Sequence, residues 1–155
     1  MERQTDSSSL LDIALSRDIE ESLKFVLIYI YIEKVAADVI DASGERKLKK
    51  MLCKMSSKRR ILRALAILRK NDVLSEDEYR ELRRVFRALR CVRNAYLHRV
   101  CAEKCPPIQF DAVLKAVELF TSKAKSFTEK RLISSSNQSS ASVYNERKNC
   151  CNQGY

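Results

Sequence analysis

Glycine and proline are scarce in this chain, two of each among 155 residues. A chain of many short strands turns often, and its turns usually need one or the other. Their scarcity excludes a strand-rich fold and points to long helices. Histidine occurs once, at His98. Long apolar runs are missing as well. The longest, Phe25 to Ile32, has eight residues, far short of the ~20 needed to span a bilayer. The opening segment, Met1 to Leu10, is polar and does not read as a secretory signal. The expectation is a cytoplasmic protein with no membrane partner, in a reducing compartment where the Asn137-Gln138-Ser139 sequon has no role.

What is present is positive charge. The net charge is +10, and it is not spread evenly. Between Glu45 and Lys70 stand eleven basic residues and one acid, Glu45 itself, an excess of ten that equals the whole net charge. Such a local excess attracts polyanions: RNA, DNA or an anionic lipid surface. Arg46, Lys47, Lys50, Lys58, Arg59, Arg60 and Arg63 are the candidate nucleic-acid contacts. The plain alternative is a solvated basic face.

Six cysteines are present. His98, Cys101 and Cys105 have a spacing that can hold part of a zinc site, because imidazole and thiolates converge from a helix end and a turn. A fourth ligand would have to come from elsewhere, for instance Cys150 or Cys151, and adjacent cysteines rarely point the same way. No metal site is therefore predicted. Cys53 and Cys91 read as small buried apolar side chains.

The apolar share, 45%, is enough for a core of ordinary size. Ile19, Leu23, Val26, Ile30, Ala37 and Ile40 recur at helical steps and predict one long helix over about 10–42. Its segment Phe25 to Ile32 is apolar on all sides, so it is central in the core or shared with a partner subunit. Tyr29 and Tyr31 lie on opposite sides of it, and Gly44 is a helix stop. A short basic helix follows over about 45–55. Ser56 and Ser57 offer a cap for a third helix over 58–70, with Ile61, Leu65 and Leu68 facing inward. Ser75-Glu76-Asp77-Glu78 is a capping box. It opens a helix to about Val100, with Tyr79, Leu82, Phe86, Leu89 and Tyr96 as its inward stripe and Val85 and Val92 beside them. Asp111 can cap a last helix over about 112–131, with Val113, Ala116, Val117, Phe120, Ala124 and Phe127 facing in. From Ser134 the composition turns serine-rich and polar, as in a flexible tail. The predicted organisation is a polar segment over 1–9, a helical domain over 10–132 and a low-complexity tail over 133–155. The fold class is a compact all-α, up-and-down bundle of about five helices.

One segment carries chemistry. Arg93 stands four residues after Leu89 and seven after Phe86, which places it on the buried stripe. An arginine there is costly unless it is paired or faces a wet cleft. Asn94 and His98 are four apart and share one face. Arg93 and His98 are about 140° apart around the axis, although a long guanidinium can wrap toward the same groove. These residue types suit phosphodiester chemistry. Histidine moves protons near neutral pH, and arginine grips phosphate oxygens and stabilises developing charge. Asparagine can orient either. With RNA the 2′-hydroxyl supplies the nucleophile, so no metal or other cofactor is required. The structural alternative pairs Arg93 with Glu33 or Glu78 and leaves His98 satisfying helix-end carbonyls.

Leu74-Ser75-Glu76-Asp77-Glu78-Tyr79, running through Leu82, Phe86 and Leu89 into Val92-Arg93-Asn94-Ala95-Tyr96-Leu97-His98, resembles the HEPN superfamily, and within it the mannitol-operon-repressor-like branch. The first helix, an apolar run leading into Glu33, is similar as well. The chain departs from the pattern at Val100, where toxin-type members often carry tyrosine, and at Leu97, where the repressor-like branch has a small residue. The resemblance implies a HEPN-like bundle that forms a homodimer, with two motif helices lining one cleft. It further implies an RNA-directed protein, in many members a metal-independent endoribonuclease of toxin or defence type, with a protein partner such as an antitoxin. Carried over, Arg93 binds the scissile phosphate, His98 is the acid/base and Asn94 orients them. Other members are non-catalytic interaction or repressor-like modules, and nucleic-acid binding without cleavage is a further alternative.

Overall fold

A computed structural model describes residues 7–16, 18–98 and 104–149, with side chains over 10–16, 18–98 and 104–136. Among the described residues there are six α-helices and no strand: α1 (Ser7–Leu15), α2 (Glu21–Ala42), α3 (Arg46–Met51), α4 (Ser57–Lys70), α5 (Glu76–His98) and α6 (Phe110–Asn149). A single 3₁₀ turn, Leu52–Lys54, follows α3. The chain is a helical bundle, as its scarcity of turn formers implied.

The bundle is built around α2. Phe25, Val26, Ile28, Tyr29, Tyr31 and Ile32 are all buried, which takes up nearly the whole apolar run. A segment apolar on every side has no polar face to give to water, although Leu27 is half-buried and Ile30 is 41% exposed. It is covered here by α1, α4, α5 and α6 together. Phe86 of α5 meets Phe120 of α6 edge to face at 5.3 Å between ring centres. Tyr31 hydrogen-bonds Thr121 of α6 at 3.2 Å.

The single helix expected over 10–42 is two. The break falls between Leu15 and Glu21, and it lets α1 pack against α2, with Ala14 wholly buried. A continuous helix would carry that apolar surface away from the core. At the other end of α2 the amide of Gly44 donates to the Asp41 carbonyl at 3.4 Å, and Gly44 adopts φ +74°, the left-handed stop for which glycine is suited.

Three further expectations are corrected. Asp111 lies inside the first turn of α6, because that helix opens at Phe110, whose ring meets Phe25 of α2. Tyr96 is 39% exposed although it continues the Leu89 face, because the end of α5 outruns its neighbours: beyond Cys91 only Ala95 is buried. Cys53 is exposed on the 3₁₀ turn. Among the described side chains of α6 the last buried one is Phe127, and those from Glu129 to Ser136 are exposed. The serine-rich segment from Ser134 therefore adds nothing to the core among the described side chains. Its helical backbone meets no Gly or Pro, and Ser134, Ser135 and Ser136 bond back to carbonyls of their own helix.

The capping box forms as its spacing demands. The Glu78 amide donates to Ser75 Oγ at 3.2 Å, and the Ser75 amide donates to Glu78 Oε2 at 2.8 Å. The Ser75 amide holds the Glu78 carboxyl below its ordinary value, with Lys123 adding to the effect. A carboxylate lowered in this way stabilises the fold above its unfolded pKa, and that contribution is lost as pH falls through the folded value. At the opposite end of the core, Arg60 of α4 donates to Glu33 Oε1 of α2 at 2.7 Å and to the Leu52 carbonyl at 3.2 Å. This pair is mostly covered, with side chains 24% and 19% exposed.

Removal of the Ser75 hydroxyl by Ser75→Ala is expected to cost about 1 kcal/mol of folding stability at neutral pH, with a smaller difference from wild type at pH values low enough to protonate Glu78. Urea unfolding at the two pH values measures both. Glu33→Ala strands the Arg60 charge and is expected to cost about 2 kcal/mol, less than a fully buried pair because some solvent reaches it. The double variant Glu33→Met/Arg60→Met should recover much of that loss. A Glu33→Ala loss within the ~0.5 kcal/mol of an exposed pair would contradict the assignment.

Candidate functional site

The second half of α5 has an unusual charge pattern for a helix in a bundle. Acids fill its first turn (Glu76, Asp77 and Glu78), and Glu81 follows; from Arg83 to His98 there is none. Acids at the N-terminus and cations toward the C-terminus both suit the helix dipole. Arg83, Arg87, Arg90, Asn94 and His98 follow one another at steps of four, three, four and four. At about 100° per residue these positions fall within about 80° of one another, a stripe roughly 22 Å long.

Two clefts open along this stripe. The first lies at its C-terminal end and has a volume of about 600 Å³. Asn94 and His98 line it together, as their spacing predicted, with Arg87, Arg90 and Lys104. Among the described residues no carboxylate lines it. The second, about 360 Å³, lies between α4 and α5 over Tyr29 of α2. Arg87 and Arg90 belong to both.

Arg93 does not line the His98 cleft. Its guanidinium lies over the ring of Tyr29, 5.3 Å from the ring centre. Neither acid proposed for it is its partner: Glu33 is bound by Arg60 and Glu78 by Ser75 and Lys123. Arg93 Nη1 instead donates to Asn94 Oδ1 at 2.9 Å, while its Nε is buried without a hydrogen-bond partner. Asn94 thus touches Arg93 on one side and shares the cleft wall with His98 on the other. Burial raises the Tyr29 phenol above its ordinary value, opposed by the charges of Arg90 and Arg93.

The candidate contacts in the basic segment are divided by the fold. Arg60 points inward to Glu33, and Arg63 meets Glu45 at 3.3 Å. Arg46, Lys47, Lys50 and Arg59 are exposed, and none of them lines either cleft. Lys58 alone of the seven joins the α5 stripe, in the cleft over Tyr29. Arg83, Arg87, Arg90 and Lys104 were missed by counting charge along the chain. The four-three-four-four spacing on α5 was the signal that finds the three arginines.

The cysteines also depart from expectation. Cys91 and Cys105 form a disulfide, with Cα atoms 5.5 Å apart. Cys91 is therefore not a simple apolar side chain, and Cys105 is not free to bind zinc. The bond ties the segment carrying Lys104 and Pro106 to α5, where both line the His98 cleft. Such bonds are rare in a reducing cytosol. Val100, Cys101, Cys150 and Cys151 lie outside the described residues. No group of three or more metal-ligating side chains occurs among those described, and no helix there is long and apolar enough to cross a membrane.

The fold and clefts define a helical bundle with an acid-free cationic stripe ending on its one histidine. No family model, curated protein or solved structure matches the chain.

If Tyr29 is held protonated by burial, folding stability should fall as pH rises above 10.0, the ordinary tyrosine value, because the unfolded chain releases the proton first. Tyr29→Phe keeps the ring under Arg93 and removes the hydroxyl. Its stability should fall less than that of wild type between about pH 8 and pH 11. Parallel curves from denaturant unfolding would contradict the assignment.

Proposed function

We propose that the protein is RNA-directed and HEPN-like, and that it holds RNA phosphates along the α5 stripe with Asn94 and His98 at the reactive end. The observation that carries this reading is the run Arg83-Arg87-Arg90-Asn94-His98, a row of donors with no acid on α5 from Arg83 onward and none lining its clefts among the described residues. Phosphate contacts of this kind give affinity, and arginine suits them. Metal-independent cleavage would use the RNA 2′-hydroxyl as nucleophile, His98 for proton transfer, Arg93 for the phosphate and Asn94 to orient them. Within one chain Arg93 rests on Tyr29, outside the His98 cleft. Cleavage thus calls for a homodimer whose second copy completes the site. Tyr96 and Leu97, 39% and 49% exposed beside His98 in sequence, supply apolar surface for that contact. A cytoplasmic location accords with an RNA partner, and there reduction of the Cys91–Cys105 bond is expected.

The placement of Arg93 also favours a second reading, an RNA-binding or repressor-like module in which Arg93 and Asn94 are structural. The two readings separate in one experiment. Purified protein is incubated with structured RNA in EDTA, and both binding and cleavage are followed. Arg87→Ala should weaken binding to all sequences and lower the salt slope by about one. Cleavage by wild type that His98→Ala abolishes supports the enzyme. Binding without cleavage leaves the module. Salt-independent binding, or none, removes RNA altogether.

A further inference from the structure

The cleft over Tyr29 is a different kind of site from the His98 cleft. Its floor is apolar, formed by buried Tyr29 and Phe86 with Ile61 and Leu65, and its rim is Lys58, Arg83, Arg87 and Arg90. The four cations come from two helices and converge on one half-open cleft of about 360 Å³, within the range of small-ligand pockets. Among the described residues no carboxylate lines it. Among the described residues Lys58, Arg87 and Arg90 form no ion pair, whereas Arg60, Arg63, Arg69, Arg80 and Arg84 nearby all do. Arg83 is braced against the Tyr79 ring, 5.5 Å from its centre. Lys58 stands in the first turn of α4, where the helix dipole adds positive potential.

Four like charges facing one small volume repel each other, and an anion bound there relieves that repulsion. A single phosphate, carrying at most two charges, leaves half of them unmatched. Linked phosphates carry three or four charges in a compact shape, and arginine forks match their oxygens in pairs. An extended strand would run along the stripe and touch both clefts, whereas a compact polyphosphate matches the one where four cations meet. We propose that the cleft between α4 and α5 is a binding site for a polyphosphate moiety, two or more linked phosphates, free or carried by a nucleoside. This site does not depend on the RNA reading. It shares Arg87 and Arg90 with the His98 cleft, so an occupant would take cations from any polyanion bound along the stripe.

The test is calorimetric titration of the full chain at constant ionic strength with inorganic triphosphate, with orthophosphate as the reference and ATP as a second arm. Triphosphate should bind about tenfold or more tightly than orthophosphate. Lys58→Ala/Arg83→Ala, which of the two clefts alters this one and not the His98 cleft, should weaken it by about tenfold or more. Lys104→Ala, which alters only the His98 cleft, should leave it within about twofold. ATP binding as tightly as triphosphate, or more tightly, assigns a nucleoside-borne ligand. ATP binding more weakly assigns a free polyphosphate. Triphosphate binding no tighter than orthophosphate, or equal loss in both variants, overturns the proposal. Both substituted positions of the double variant are exposed, and an unchanged melting temperature checks that it folds. No RNA enters the titration, so its failure and the failure of the RNA reading are told apart.

Discussion

The apolar run of α2 must be covered around most of its circumference, leaving only a stripe through Ile30, Asp38 and Asp41 at the surface, and that condition shapes the whole chain. Four helices are needed to do it. α1 is broken from α2 because a continuous helix could not return to cover it. Each fully buried side chain of this kind contributes roughly 1.5–3 kcal/mol, so the run from Phe25 to Ile32 outweighs any single polar contact in the molecule. Once α2 is enclosed, the cations of α4 and α5 are left to the outside and to the seams between helices. Arg60 is drawn partly inward, where Glu33 and the Leu52 carbonyl satisfy it, and Arg93 lies over the buried Tyr29 ring.

Tyr29 is where this enclosure meets the candidate sites. It is buried to 1%, yet its ring is a platform for Arg93 and the floor of the cleft rimmed by four cations. A phenol buried among arginines remains a neutral ring, and a neutral ring face attracts guanidinium without cancelling its charge. Arg93 is therefore held in place without losing its positive field. A carboxylate at the same position would have fixed it more firmly and removed that field from the α5 stripe.

Much of the fold was legible because burial follows period. The inward positions of α6, the capping box at Ser75 and the stop at Gly44 each depend on neighbours within a turn or two. Tyr96 was misplaced for the complementary reason: its exposure depends on where other helices end, which no local period encodes. The break before Glu21 likewise answers a tertiary demand. For the candidate site, Asn94 and His98 share a wall as four-residue spacing requires. The direction of Arg93 was not legible, since its long side chain had two grooves to choose from and the ring of Tyr29, 64 positions earlier in sequence, decided between them. Density of charge along the chain located exposed cations at Arg46, Lys47, Lys50 and Arg59, but not those that line the two clefts. Glu33 and Glu45 engage Arg60 and Arg63 from that dense segment, whereas the sparser arginines of α5 line up on one face.

The Cys91–Cys105 bond bears on how the two clefts relate. Arg87 and Arg90 are fixed on α5 whatever the redox state, so the cleft over Tyr29 keeps its rim without the bond. Lys104 is different. It reaches the His98 cleft from a segment that the bond ties to α5 one residue away, and no other described hydrogen bond or ion pair holds Lys104 there. Opening the bond would release Lys104 and Pro106 together and widen that cleft beside His98. The charge of the α5 stripe would remain. On this arrangement the positive stripe is a property of one helix, and the shape of the wall around His98 depends on a cross-link. The charge of the stripe and the geometry around the histidine are thus set by separate parts of the chain.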